Sequence, residues 1–333
     1  MRTKQEINTI KLQDGDYHNS DFNNYIDMAK NAVDWTIFCN YILKPNSPNG
    51  KYQILSLPNM QIAYSDMSGG VMHDFVVPKD TINVTIIKDI SNKACSNLTK
   101  LTKNKIIVSD DTKIYNFMHN GNVKIFDISI KKSKNSILYN QLSKIIDKVF
   151  IDKDGIISNI LTNKLDKYSK YNKLSIVTTN KIETIINDLL LKIIKTQKAK
   201  TPIFSWSEEI VLKIREKIFK HMDGNITIEQ LSQDYNISQK SLQNSFKSLF
   251  GFTPREFIRL LKLNLVHHEL MKNSREDTTV SQISQKWGFQ HQGRFSKFYT
   301  ELFLENPLVT LKSTPLIDGM REDCVERQEE MML

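Results

Sequence analysis

The sequence predicts an α+β protein with a β-rich N-terminal part, followed by helices, and an all-helical C-terminal part. Three observations predict it. Runs of β-branched and aromatic residues alternate with turn residues between about 35 and 130. The apolar period becomes helical from about residue 136, and the helical pattern after residue 205 contains an internal repeat. The chain of 333 residues is 40% hydrophobic and 25% charged, which is typical of globular proteins.

The β-rich region contains seven short segments that read as strands. Turn residues such as Gly69-Gly70 and Asn120-Gly121-Asn122 separate them. Short strands at this spacing favour a small cupin-like barrel or a sandwich, either of which limits exposed strand edges. The predicted strands are Trp35–Leu43, Tyr52–Leu57, Gln61–Ser65, Val71–Val77, Ile82–Ile87, Lys105–Val108 and Val123–Ile130.

Helices follow in residues 136–198. Ile137–Phe150 and Asn180–Lys198 carry apolar residues at helical spacing, so these helices should cover the strands or a second copy of the chain. Thr196–Ser205, with Pro202, predicts a linker. Ser207 is a candidate N-cap for a helix that runs to about Met222 and ends at Gly224.

The C-terminal part repeats itself. Residues 228–254 and 280–307 align with apolar residues at matching positions, with Ser232 and Ser284 at the matching small position. Asn236 and Gly288 occupy the turn that needs a left-handed residue. Each copy therefore predicts a helix-turn-helix, and Pro254 opens a long connecting helix to about Lys272. Two such units would place two recognition helices about one DNA turn, ~34 Å, apart.

These residues carry a family resemblance. Residues 205–312 resemble the DNA-binding domain of the AraC/XylS family of bacterial transcription regulators, most clearly in Ile237–Lys247, Leu249–Pro254 and Trp287–Lys297. Trp287–Phe295 and Leu302–Leu311 are most similar to the branch that regulates ethanolamine-utilisation operons. The chain departs from the family pattern at three positions: serine replaces the usual alanine at Ser232 and Ser284, and Leu304 replaces a glycine.

The resemblance implies a sequence-specific transcription regulator, an activator that contacts RNA polymerase and binds double-stranded DNA as a homodimer. Residues 1–200 would then sense a small effector and dimerise. Two alternatives stay open. The N-terminal part serves only in dimerisation or partner contact, or the chain is an enzyme or repair protein fused to such a DNA-binding module. The repair reading needs clustered cysteines, and Cys39, Cys95 and Cys324 are far apart. We therefore expect no enzyme.

The polar faces of the two predicted recognition helices supply the candidate DNA contacts. Gln and Asn pair with adenine, whereas Lys and Arg suit guanine or phosphate. By resemblance, Lys240, Gln243 and Asn244 fall on base-contacting positions of the family, and Gln292 and Lys297 on the matching positions of the second copy. The full candidate set is Gln239, Lys240, Gln243, Asn244 and Lys247, with Gln290, His291, Gln292, Arg294 and Lys297.

Charge alone is less informative. The net charge is +9, but most of the excess is lysine in residues 1–200, where Arg2 is the only arginine before Arg215. Residues 313–333 are acidic and predict a flexible, solvated tail.

No other site is predicted. His73, Asp74 and His119 lie near β segments but lack the spacing of metal ligands, so we expect no metal and no cofactor. His267-His268 should be exposed or face phosphate. Sparse cysteines fit a reducing cytosol, the N-terminus lacks a signal peptide, and charges interrupt the longest apolar stretch. The prediction is a cytoplasmic protein without a membrane span.

Overall fold

The computed structural model describes residues 11–96, 99–201, 205–221 and 226–312. The N-terminal elements are β1 (Tyr17–Phe22), α1 (Tyr25–Asn31), β2 (Thr36–Ile42), β3 (Asn49–Ser56), β4 (Met60–Ser68), β5 (Gly70–Val76), β6 (Thr81–Ile90), β7 (Ala94–Ser96), β8 (Thr99–Lys100), β9 (Lys105–Asp110), β10 (Tyr115–Asn120), β11 (Val123–Lys131), α2 (Ile137–Leu142), β12 (Val149–Ile151), α3 (Ile156–Tyr168) and α4 (Ile176–Thr196). The C-terminal elements are α5 (Trp206–Lys220), α6 (Ile228–Asp234), α7 (Gln239–Phe250), α8 (Pro254–Lys272), α9 (Val280–Lys286), α10 (Gln292–Phe303) and α11 (Pro307–Lys312).

Two antiparallel sheets form the N-terminal part. The larger sheet has the strand order β1-β3-β4-β11-β6-β9-β12, and the smaller has the order β2-β5-β10-β7-β8. Apolar residues from both sheets, among them Ile54, Ile125 and Phe117, share one buried cluster. The sheets therefore pack face to face as a sandwich, one of the two predicted architectures, and the α+β fold class is confirmed.

The helices α2, α3 and α4 cover the outer face of the larger sheet. Along β11, Phe126 and Ile128 pack against these helices, while the alternate residues Ile125 and Asp127 point between the two sheets. The carboxylate of Glu183 on α4 accepts hydrogen bonds from the backbone N–H and the side-chain amide of Asn59, at 2.5 and 3.0 Å. This contact fixes α4 over the β3–β4 turn.

Several predicted boundaries differ from the structure. The β-rich part begins at β1, before residue 35, and the predicted helix Ile137–Phe150 is instead the short α2 followed by β12. Asp147 takes a left-handed backbone with φ of 61°, which is incompatible with a continuing helix, and Val149 then pairs with Ile107 at the sheet edge. The apolar residues that suggested a long helix thus serve two elements.

The helix after the predicted linker begins two residues earlier than expected. Ser205, not Ser207, is the N-cap of α5, because its hydroxyl accepts from the Glu208 backbone and the Glu208 carboxylate accepts from the Ser205 backbone. Residues 202–204, Met222, Gly224, Cys324 and the predicted tail, residues 313–333, lie outside the described residues. Among those that are described, no helix is long and apolar enough to cross a membrane.

The smaller sheet also packs against the C-terminal helices. Tyr41, Met72 and Met118 on its outer face join a continuous core with residues of α5, α7 and α8. At the end of β2, Asn264 of α8 accepts from the Ile42 N–H at 2.7 Å and donates to the Ile42 carbonyl at 2.8 Å. One layer of strands therefore separates the interior of the sandwich from the C-terminal helices.

Candidate nucleic-acid interface

The first repeat folds as a helix-turn-helix through local signals. A capping box between Thr227 and Gln230 starts α6, and Asn236 turns the chain with φ of 47°. Ser238 then caps α7 by accepting from the backbone N–H of Ser241 at 3.1 Å. The hydroxyl of Ser232 donates to the carbonyl of Ile237, which ties the first helix to the turn. Serine at this position thus adds a hydrogen bond that alanine lacks.

The second repeat uses the same signals. Thr279 and Gln282 form the capping box of α9, and Gly288 makes the left-handed turn with φ of 85°. Ser284, fully buried, donates to the Ser281 carbonyl or to the side-chain oxygen of Gln292, each at 3.0 Å. The second departure from alanine therefore links α9 to α10.

The second helix of each repeat has the same length and one buried face. Both α7 and α10 contain 12 residues. Their inward faces carry matching large residues, and the left-handed residue that ends each helix is Gly251 in the first repeat and Leu304 in the second. The buried residues are Leu242, Phe246, Leu249 and Phe250 in α7 and Phe295, Tyr299 and Leu302 in α10.

Polar contacts hold the first helix of each repeat against the preceding helix. The Trp287 indole donates to Glu269 of α8 at 2.7 Å, and Lys286 pairs with the same carboxylate at 2.9 Å. In the first repeat, Lys217 of α5 pairs with Asp234 at 2.5 Å. The guanidinium of Arg259 lies 4.2 Å from the ring centre of Phe298, which joins α8 to α10. Both repeats are therefore fixed relative to the connecting helices.

Nearly all the predicted DNA-contacting residues are exposed, on the outward faces of α7 and α10 or, for Gln290 and His291, in the turn directly before α10. Lys297 is exposed and lies 3.9 Å from Glu301 in the next turn. Gln292 is half-buried, and its amide bonds to Ser284 and to the Phe289 carbonyl at 3.4 Å. The exposed members of the predicted set are Gln239, Lys240, Gln243, Asn244, Lys247, Gln290, His291, Arg294 and Lys297.

The expectation for the histidine pair on α8 is wrong. His267 is buried, stacks on Phe303 at 4.0 Å between ring centres and bonds to the Tyr299 hydroxyl at 2.6 Å. Burial lowers its pKa to about 3. His268 is half-buried beside Tyr41, and burial lowers its pKa to about 4. The sequence did not predict this burial. Adjacent residues of a helix point in different directions, and each histidine packs against a residue that is distant in the sequence, Phe303 for His267 and Tyr41 for His268.

A cavity that the sequence did not reveal lies between the two sheets. Its volume is about 70 Å³, room for roughly five water molecules. Asp127 and Thr85 line it from the larger sheet, and His73 and Phe117 line it from the smaller one. Asp127 is the one acidic residue of β11 and lies on the same face as Val123, Ile125 and Ser129, and this was the signal available in the sequence.

His73 and His119 lie on the smaller sheet, and only His73 lines the cavity. Burial lowers the pKa of His73 to about 3 and that of His119 to about 4. The Nδ1 atom of His119 lies 2.7 Å from the Gly121 carbonyl, and His73 packs between Phe75 and Phe117. Within the described ranges, no group of three or more His, Cys, Asp or Glu residues is placed to hold a metal ion.

Comparisons with known proteins agree on the C-terminal part. Residues 231–313 match a family described as "Helix-turn-helix domain". The probable thc operon regulatory protein of Rhodococcus erythropolis is 28% identical over 95 residues, which cover 28% of this chain and 29% of that protein. The XylDLEGF operon transcriptional activator of Pseudomonas putida is 32% identical over 110 residues, which cover 33% of this chain and 34% of that protein. The chain thus spans about a third of the length of the curated relatives it matches.

Among solved structures, the AraC-like transcriptional activator CuxR aligns with 72% of this chain and 86% of its own, with 11% identity and a TM-score of 0.37. The sequence matches coincide with the two repeated motifs that the geometry places in residues 228–312. The C-terminal part of the chain thus matches a helix-turn-helix family and is similar in sequence to two operon regulators.

Proposed function

We propose that the chain is a sequence-specific DNA-binding transcription regulator whose N-terminal domain controls its C-terminal domain. The observation that carries the proposal is the pair of 12-residue helices, each buried on one face and lined with amide and basic side chains on the other. Such a face is suited to the major groove, where amides and lysines read base edges. The match to operon regulators supports the same conclusion.

The domain organisation supports control from the N-terminal side. Residues 1–200 form the sensing and dimerisation domain, residues 205–312 bind DNA, and a small effector occupies the cavity of the sandwich. The single layer of strands between the cavity and the C-terminal core supports this assignment: on β5, Met72 contacts that core while His73 faces the cavity. Dimerisation alone does not require an internal cavity, whereas binding of a small effector does.

The finer assignments belong to the same proposal. The chain acts as a homodimer and an activator that contacts RNA polymerase, works in the cytoplasm, and carries out no catalytic step. The motifs Trp287–Phe295 and Leu302–Leu311 support the assignment of the C-terminal domain to the branch that regulates ethanolamine-utilisation operons. Because these motifs lie in the DNA-binding domain, they carry no information about the effector.

The first experiment tests DNA recognition. Genome-wide mapping of bound sites identifies an operator, and binding to it is then measured against a scrambled duplex over a range of salt concentrations. Gln243→Ala should cost about 1–3 kcal/mol on the operator and relax preference at one base pair. Lys247→Ala should weaken both duplexes and lower the salt slope by about one.

The control is Lys170→Ala, which removes a lysine from an exposed position of the N-terminal domain and should leave the salt slope unchanged. Equal loss on both duplexes for Gln243→Ala would show that Gln243 reads no base. Absence of any duplex that wild-type protein binds selectively at about 0.2 M salt would refute the proposed function.

A further inference from the structure

The cavity of the sandwich has walls of different chemistry. The larger sheet contributes the carboxylate of Asp127, flanked by Thr85 and Tyr52. The smaller sheet and the chain leading into it contribute aromatic rings: Trp35 lies 5.3 Å from Phe75, and Phe75 stacks on Tyr115 at 5.8 Å between centres. A molecule in this space would lie between a carboxylate and a group of aromatic faces.

The charge of the lining is one-sided. Asp127 is its only carboxylate, and no lysine or arginine lines the cavity in the part of the chain that the structure describes. His73 adds no positive charge because burial keeps its pKa far below neutral, at about 3. Burial raises the pKa of Asp127, because desolvation disfavours its charged form and no cation among the described residues lines the cavity to stabilise it. A cationic ligand would supply that charge, whereas an anionic ligand would be buried beside the carboxyl group with no cation to compensate it.

The hydrogen bonds of Asp127 leave capacity for a ligand. Its Oδ1 atom accepts from the Thr85 hydroxyl at 2.6 Å and from the Asn83 amide at 2.9 Å. In the described structure its Oδ2 atom has no such partner. The indole N–H of Trp35 and the Nδ1 atom of His73 are also buried without a partner there. Buried polar atoms are rarely left unpaired, so these groups mark positions for atoms of a ligand or for water.

We propose that this cavity binds a small organic cation, an amine that is protonated at neutral pH and carries a short apolar body. The ammonium group donates to Oδ2 of Asp127 and lies against the aromatic faces, which attract cations. The apolar body contacts Met67, Ile125 and Phe117. The inference rests on the proposed function, since it gives the chemical class of the effector of the N-terminal domain.

The test uses three probes of similar size and different charge: n-butylamine, butan-1-ol and butyrate. Binding to the full chain is measured by calorimetry and by the thermal shift of unfolding at pH 7.5. The amine should bind about tenfold more tightly than the alcohol, a difference of about 1.4 kcal/mol, and butyrate should not bind at the concentrations used for the amine.

Three variants locate the binding. Asp127→Asn removes the charge with little change of shape and should weaken amine binding by about tenfold while leaving alcohol binding nearly unchanged. Asp66→Asn is the matched control, since Asp66 lies one strand away on β4, outside the cavity lining, paired with Lys124 at 3.2 Å. It should bind the amine as wild type does. Trp35→Phe keeps a ring but removes the N–H donor, and it should retain the preference for the amine if Asp127 selects the cation.

Three outcomes would overturn the ligand class. The amine does not bind, butyrate or butan-1-ol binds as tightly as the amine, or Asp127→Asn leaves the affinity for the amine unchanged. If Asp127→Asn does not fold, the wild-type ranking of the three probes decides. Operator binding is measured on the same preparations. Selective operator binding without amine preference refutes only the ligand class, whereas amine binding without any selective operator refutes the proposed regulator.

Discussion

At the scale of single residues, the most informative position is Leu304. It ends α10 in the left-handed region with φ of 58°, where the first repeat has Gly251 with φ of 78°. Leucine in this region carries a steric cost that glycine avoids. Its side chain is 56% exposed, so little burial compensates for that cost. The departure from the family pattern therefore leaves the turn geometry intact at the expense of stability.

We therefore expect Leu304→Gly to stabilise the C-terminal domain by up to about 1 kcal/mol, measured by urea unfolding. The reciprocal variant, Gly251→Ala, should destabilise. It adds a side chain in the left-handed region, and its Cβ would clash with the side-chain amide nitrogen of Asn120 on the smaller sheet. A destabilised Leu304→Gly would mean that the exposed leucine makes contacts worth more than the backbone cost.

At the scale of elements, the contact between β2 and α8 joins the two parts of the chain. Asn264 is buried, and its amide satisfies both backbone groups of Ile42. It also donates to the Leu260 carbonyl of its own helix at 2.8 Å. A single amide thus completes the edge of the smaller sheet and anchors the connecting helix to it.

Asn264→Leu keeps the branching and the number of heavy atoms of the side chain but leaves the Ile42 N–H and carbonyl without this partner. We expect a loss of about 1–3 kcal/mol and faster amide hydrogen exchange at Ile42. Asn273→Leu is the matched control, since the amide of Asn273 on the C-cap of α8 donates to the Glu269 carbonyl in its own helix. Unchanged exchange at Ile42 in Asn264→Leu would show that the two parts are held together by apolar packing alone.

At the scale of the whole molecule, four histidines with lowered pKa values make the stability depend on pH: His73, His119 and His267, which are buried, and His268, which is half-buried. Burial holds the pKa of His73 and His267 at about 3 and that of His119 and His268 at about 4, below the ordinary value of 6.5. As the pH falls through 6.5, the unfolded chain takes up protons that the folded chain does not accept. Stability that is fully present above pH 6.5 should therefore decrease steadily toward pH 4.

Thermal unfolding between pH 7.5 and pH 5 tests this expectation, with each neutral histidine contributing up to roughly 1.4 kcal/mol per pH unit. Carboxylates with a lowered pKa, such as that of Glu256 beside Thr253, reduce stability only when the pH falls near or below their ordinary pKa of 4.5. They therefore do not account for a loss of stability above pH 5. A melting temperature that is constant from pH 7.5 to pH 5 would show that the histidines are protonated in the folded state.

The helix-turn-helix domain could be predicted from the sequence because its signals are local. Caps such as Thr227 with Gln230, a turn residue such as Asn236 and one apolar face per helix all lie within a few residues of one another. The exposure of the candidate residues Gln243 and Asn244 followed from the same helical period. Strand alternation likewise predicted seven of the twelve described strands. It missed β7, β8 and β12, which have only two or three residues, and also the six-residue strands β1 and β10, whose polar residues obscure the alternation.

Tertiary structure decided what depends on distant partners. Alternation along β11 separates Asp127 from Phe126, but only the pairing of sheets and helices determines which of them faces the cavity. The burial of His267 depends on Phe303 and Tyr299, which are more than thirty positions away. The contact of the smaller sheet with the C-terminal helices has no local signal, because two apolar surfaces from separate parts of the chain specify each other only once both have folded.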